Sequence, residues 1–181
     1  MTGRSRTPIS VVAAIACVAL SVPAAGCSLT GYMTAAGGYT ASASSLPGRD
    51  GAQAAIQLGI GENGLGGGGA LRMQLTPNVR EVGLAGELFA IYLPWEVAPL
   101  ARVGVELLQF GSIDGEFSFG MFSPYLEAGF AWITPRGSSF AGPFMVAIVG
   151  VMEGSVRFTG QPSEFGGGFL ISIGYGGGRW D

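Results

Sequence analysis

Histidine is absent from the 181 residues, and the nine basic residues are all arginines, so lysine is absent too. Without histidine there is no Ser-His-Asp arrangement and no imidazole metal site. Charge of either sign is scarce: 12% of the chain, about half the usual share. A formal net charge of −3 argues against a nucleic-acid partner, which needs a basic face against phosphate. The two cysteines, Cys17 and Cys27, are too few for a disulfide framework. After residue 27 the longest uninterrupted apolar stretch is Pro143–Met152, half the length of a membrane-spanning helix. Low charge does not mean disorder here, because 48% of the residues are hydrophobic.

What is present begins with an address. Arg4 and Arg6 precede the apolar run ISVVAAIACVALSV, and Pro23-Ala24-Ala25-Gly26 then supplies small residues. This order of basic, apolar and small segments predicts a secretory signal peptide over residues 1–26. Ala24-Ala25-Gly26-Cys27 resembles the lipobox of bacterial lipoproteins. That resemblance implies cleavage before Cys27, acylation of its thiol, and membrane lipid as a partner. Ser28 after the cysteine resembles the sorting signal of outer-membrane lipoproteins. An ordinary signal-peptidase site, with Cys27 a free thiol, is the alternative.

Residues 28–51, rich in Ser, Ala, Gly and Thr, predict a flexible tether, so that 27–51 reads as a lipidated linker and 52–181 as the domain. A short helix or a plug inside the domain is the other reading of this segment.

The domain is built on a period of two. Ile56, Leu58 and Ile60 alternate with Ala55, Gln57 and Gly59. Leu71 and Met73 flank Arg72; Val82, Leu84 and Leu88 oppose Glu81, Gly83 and Glu87. The same pattern recurs around Arg102 and Glu106, Glu127, Glu153 and Arg157, and along Phe169–Tyr175. Repeated alternation predicts strands with one apolar face. Asn63-Gly64, Pro77-Asn78, Asp114-Gly115 and Pro135-Arg136-Gly137 mark breaks. The Gly-rich Leu65–Ala70 lacks the Lys-Ser/Thr ending of a phosphate loop and reads as a flexible hairpin loop. The expected fold is an all-β, antiparallel up-and-down barrel of about eight strands, within a range of six to ten; Ser123-Pro124 either divides two strands or begins one.

The second face decides what lies outside. It holds Gly, Ala and Ser with few charges, whereas the surface of a soluble domain is ~25–35% charged. Small residues with Arg72, Arg102 and Arg157 against Glu81, Glu87, Glu106, Glu127 and Glu153 suit the packed interior of a narrow barrel. Buried charges need partners, so these eight residues are expected to form a structural lumen network. Tyr92, Trp95, Trp132, Tyr175 and Trp180 sit near predicted strand ends, where membrane-interface aromatics collect.

Pro124-Tyr125-Leu126-Glu127-Ala128-Gly129-Phe130 and Gly166–Gly174 resemble strands of small bacterial outer-membrane barrels. That resemblance implies an outer-membrane location and a structural or interaction role, with an envelope protein as a further partner. Nothing in the residues calls for a cofactor or a metal. A carboxylate pair among Glu87, Glu106, Glu127 and Glu153 could act as acid and base, but pairing with arginine is the favoured reading, and no enzymatic activity is expected. The alternative is a lipid-tethered soluble barrel or sandwich in the periplasm, with Phe117, Phe119, Phe144 and Phe158 turned inward around an apolar ligand.

Overall fold

The computed structural model describes residues 29–43, 50–92, 97–134, 144–159 and 163–180. Residues 1–26, expected as a signal peptide, Cys27 and Trp95 lie outside them. Nine strands follow in order: β1 Leu29–Ser42, β2 Gly51–Glu62, β3 Leu65–Leu75, β4 Val79–Ile91, β5 Val97–Ile113, β6 Glu116–Gly120, β7 Ser123–Ile133, β8 Phe144–Ser155 and β9 Glu164–Trp180. All ladders are antiparallel. The sheet runs β4-β3-β2-β1-β9-β8-β7-β5, and β4 pairs with β5, so it closes on itself as an eight-stranded barrel. Closure leaves the eight wall strands without a free edge.

The extra element, β6, lies along β5 beyond β7. Glu106 faces Ser123 and Gln109 faces Gly120, a step of three on each side, so β6 and β7 follow β5 in one register. They are separated by Met121 and Phe122, where Phe122 adopts φ 57°. A positive φ is strained for a bulky residue. At the same height the β4–β5 ladder shifts register between Leu84 and Ala85. Ser123-Pro124 therefore begins a strand.

Two regions differ from the sequence reading. Residues 29–42, expected in the tether, form β1 and pair along their length with β2 and β9. Their outward positions include Ala35 and Gly37 and their inward ones Thr34 and Ala36, so alternation of direction is real but produces little alternation of hydropathy. Leu65–Ala70, expected as a hairpin loop, is the first half of β3; the turn is Asn63-Gly64 alone, with φ 51° and 83°. Both residues take the left-handed conformation that a two-residue hairpin turn requires, as do Asp114 and Gly115 at 53° and 83°.

The barrel has two distinct mouths. The terminal mouth carries the start of β1, the end of β9, and the β2–β3, β4–β5 and β7–β8 connections. The far mouth carries the β1–β2, β3–β4, β5–β6 and β8–β9 connections. Strands of 11 to 13 residues such as β3 and β4 rise ~28–33 Å along the axis at ~3.3 Å per residue and ~40° tilt.

The wall is apolar outside. Ile56, Leu58, Ile60, Leu84, Leu88, Val103, Phe130, Ile148, Phe169, Ile171 and Ile173 are all exposed. Among the described residues the exposed charged ones are Asp50, Glu62, Arg80, Asp114 and Glu116, each at a strand end or turn. Trp132 and Tyr175 are exposed near the terminal mouth, and Tyr92 follows the end of β4 there. Phe110, Phe117, Phe158 and Phe165 are exposed near the far mouth.

Candidate functional site

The inward positions fill the lumen in two zones. Toward the terminal mouth the filling is apolar: Phe89, Ile91, Ala98, Leu100, Ala131, Ile133, Met145 and Ala147 are buried together. Tyr32 joins them, its ring edge-on to Phe89 with centroids 4.9 Å apart. Glycines make the room. A Cβ at Gly66 would come 2.7 Å from the Phe89 ring, and one at Gly59 would strike Tyr32.

The middle and far zones are ionic. All eight residues expected in a lumen network sit on inward positions, on β3, β4, β5, β7 and β8 and, for Arg157, just past β8. The deepest pair is Arg102 Nη1 to Glu127 Oε2 at 2.9 Å, between directly opposed residues of β5 and β7, with both side chains fully buried. Gln57 Nε2 donates to the same carboxylate at 2.9 Å, and Thr34 donates to Gln57 Oε1 at 3.3 Å. The chain of contacts thus crosses the lumen from β1 to β5.

Glu87 is held differently. Tyr32 and Tyr125 both donate their hydroxyls to it, the latter at 2.9 Å. Each ring is capped by a guanidinium: Arg102 lies 5.0 Å from the Tyr32 centroid and Arg72 4.0 Å from that of Tyr125. A cation over the face of a ring is attracted to its negative quadrupole. Tyr125 lies over Gly104, directly opposite on β5, where a Cβ would overlap its ring.

Nearer the far mouth, Arg72 Nη2 donates to Glu153 at 3.1 Å, Thr40 donates to the same carboxylate at 2.8 Å, and Arg72 Nη1 lies 3.6 Å from Glu106. Glu81 is a buried hub. It accepts from Arg157 Nη2 at 2.8 Å and Nε at 3.3 Å, from Ser118 at 2.7 Å and from Gln109 at 3.2 Å. Arg157 also lies 3.6 Å from Glu164. Two hydrogen bonds in the fork geometry fix orientation as well as charge. These strands enclose a cavity of about 50 Å³ lined by Arg72, Glu81, Glu106, Gln109, Glu153 and Arg157 among others.

Sequence reasoning therefore found the charged members but not the neutral ones: Tyr32, Thr34, Gln57, Gln109, Ser118 and Tyr125. Of the four outside β1, Gln57, Ser118 and Tyr125 fall on the face opposite the apolar one of their strands, whereas Gln109 is out of phase with Arg102 and Glu106 because the β4–β5 ladder shifts register between Leu84 and Ala85. The four phenylalanines expected around an apolar ligand do not converge. Phe117 and Phe158 are 69% and 63% exposed, and Phe144, beside Tyr175 at 5.9 Å, shares the outward parity of Ile148. Phe119 shares that of Phe117. The inward side is already filled by the shorter, partnered residues, so the aromatic rings face out. Among the described residues no group of three acidic, cysteine or histidine side chains is placed to hold a metal ion.

No protein-family model matches the sequence. No curated protein matches it either. Among solved structures, the crystal structure of Neisserial surface protein A (NspA) superposes with a TM-score of 0.54 at 15% identity, covering 83% of this chain and 100% of that one. At that identity the likeness shows the fold: a small, closed, antiparallel barrel like that of an outer-membrane β-barrel protein.

Proposed function

We propose that this chain is an integral barrel of the bacterial outer membrane, with a structural or interaction role in the envelope and no catalytic turnover. The observation that carries the reading is the outer wall. Its exposed charges stand at strand ends and turns, and its exposed wall positions in between are apolar, over a height that matches the ~25 Å apolar band of such barrels. In water that wall would be an aggregation surface; in lipid it is the solvent-matched face. The filled lumen favours scaffold over pore, since a layer containing the fully buried Thr34, Gln57, Arg102 and Glu127 crosses it. The lumen carboxylates are engaged by arginines, tyrosines and a threonine rather than poised as an acid and base pair.

The proposal includes acylation of Cys27. Only Ser28 separates it from Leu29, the first residue of β1. Two residues reach at most ~7 Å, so acyl chains there would enter the leaflet beside the β1–β9 side of the terminal mouth. The anchor is then part of the barrel's rim, with membrane lipid as its partner, rather than the end of a long leash. An envelope protein that docks on a mouth is the partner this role requires.

The test uses the full chain and its Cys27→Ala variant, each taken from envelope fractions and run on SDS gels boiled and unboiled. A closed barrel resists SDS until heated because its ladder has no edge to open. Both forms are expected to migrate faster unboiled and to resist alkaline extraction. Release of the variant into the soluble fraction without a mobility shift would overturn the integral reading. Incorporation of labelled palmitate into the parent but not the variant is expected.

A further inference from the structure

One segment of the far mouth is built unlike the rest of the wall. Residues 156–159, the described start of the β8–β9 connection, leave β8 and lie along β6 on the side away from β5. A single bridge, Gly120 opposite Arg157, joins them to it, with Met121 N–H donating to Val156 O at 3.2 Å and Phe158 N–H to Phe119 O at 2.9 Å. Of the four residues Arg157 alone is buried; Val156 and Phe158 are exposed, so the segment gives no apolar side chain to the lumen. What it gives is a guanidinium, which reaches past β6 and β5 to fork onto Glu81 of β4. The same carboxylate is tied back to the segment by a second route. Val156 N–H donates to Ser123 Oγ at 3.0 Å, Ser123 donates to Gln109 Oε1 at 3.2 Å, and Gln109 Nε2 donates to Glu81. Both middle members of this route stand at irregularities of the wall. Gln109 faces inward three residues from Glu106, beyond the exposed pair Leu107 and Leu108, and Ser123 follows Phe122 with its φ of 57°. Bulges and strained residues re-aim side chains where something depends on their direction.

We propose that residues 156–159 are a latch on the far mouth, with Glu81 as its catch. Closed, the Arg157 fork spans a chord of the lumen, and the Ser123–Gln109 route fastens the backbone to the same point. Open, the segment lifts from β6 as a unit, Arg157 passes into water, and the cavity beneath joins the solvent. Two features keep these states close in energy. The segment buries no apolar side chain, and elements with few buried apolar contacts are the first to open locally. The ion pair that holds it closed contributes little net, because Arg157 recovers its hydration on leaving. Ser118 and Gln109 go on donating to Glu81 when it does. The wall does not share this freedom, since β8 and β9 stay paired up to Ser155 and Glu164. Nor does the layer below, where Arg102 and Glu127 are fully buried on β5 and β7. The latch therefore opens a vestibule and not a through channel. It adds a moving part to the scaffold and stands on the geometry of the lumen, whatever surrounds the wall.

The experiment uses the full chain in detergent micelles, with Cys17→Ala and Cys27→Ala as background and Gln53→Cys as a reporter on the cavity lining. Reaction of the thiol at position 53 with trimethylammonium-ethyl methanethiosulfonate is followed by intact mass. A cavity of about 50 Å³ has room for a few waters but not for that reagent, so the rate reports opening. Glu81→Gln and Arg157→Gln each remove the charged fork and should raise the rate by about tenfold or more. Ser123→Ala, which cuts the second route and leaves every charge in place, should raise it less. Glu153→Gln, on the same lining but outside the latch, should leave it at the parent's value. In each faster variant the amide hydrogens of Met121 and Phe158 should exchange faster in parallel, since lifting the segment frees them. Each variant is first checked for the unboiled barrel mobility of the parent, and where a charge variant fails that check Ser123→Ala decides. Unchanged rates in the latch variants overturn the proposal. So does an equal rise in Glu153→Gln, which is general loosening of the lumen. Faster reaction with unchanged exchange also overturns it, because the cavity then widens under a fixed segment.

Discussion

The two halves of the lumen solve the same packing problem with opposite materials. Toward the terminal mouth, Phe89, Ile91, Leu100, Ile133 and Met145 fill the tube by shape. Toward the far mouth, Arg72, Arg157 and four glutamates fill it by charge and leave a cavity. Apolar side chains need no particular partner, so that half closes tightly. Ion pairs demand direction, and a lumen lined by long, oriented side chains keeps space between them. Where the halves meet, Arg102 touches both: it is paired to Glu127 and lies over the ring of Tyr32, which itself packs on Phe89.

The largest effect is expected from breaking that junction. Glu127→Ala leaves the fully buried Arg102 without its carboxylate and should cost about 3–5 kcal/mol, read from urea unfolding in micelles. Replacing the pair together, Arg102→Met with Glu127→Leu, should recover most of the loss, because the pair's own net contribution is small once desolvation is counted. If the double replacement is as unstable as the single one, orientation rather than charge compensation is what the pair supplies. Phe89→Ala, in the apolar half, should cost about 3 kcal/mol, the low end for such a truncation, because Gly59 and Gly66 let the Tyr32 ring relax toward the gap. A larger loss would mean that the terminal half is as rigid as the ionic one. Gly104→Ala should cost about 1–3 kcal/mol by displacing the Tyr125 ring from its place over β5. It should also loosen the Tyr125 hydrogen bond to Glu87, visible as a change in near-ultraviolet circular dichroism.

The contrast also explains what the sequence made legible. The apolar outer face of β2, β4, β5, β7 and β9 is a pattern within each strand, so Ile56-Leu58-Ile60 or Phe169-Ile171-Ile173 declares itself alone. The inward placement of the eight charged residues follows from the same parity. Their partners do not, because Arg72 meets Glu153 and Arg157 meets Glu81 only across a tube that exists after closure. Strand β1 carries Ala, Gly and Tyr on both faces and gives little amplitude to read, which is why it resembled a linker. The glycines of β3 likewise look like a loop. The purpose of Gly66 is set by Phe89, a ring on the neighbouring strand. A missing side chain is informative only beside the atom that takes its place.

The barrel closes between its first and last strands, with Leu29 opposite Trp180 and Ser42 opposite Gly166. That seam joins the most distant parts of the described chain, so the final ladder to form carries the greatest loop-closure entropy, and folding cannot finish until the last strand exists. Because the two ends meet at one mouth, the seam's lateness belongs to where the chain is cut and not to the sheet. Joining the ends and opening the chain at the Asp114-Gly115 turn would keep every rung of the β1–β9 ladder while making it a local hairpin. Such a permutant would leave the finished wall unchanged and reverse the order in which it is zipped.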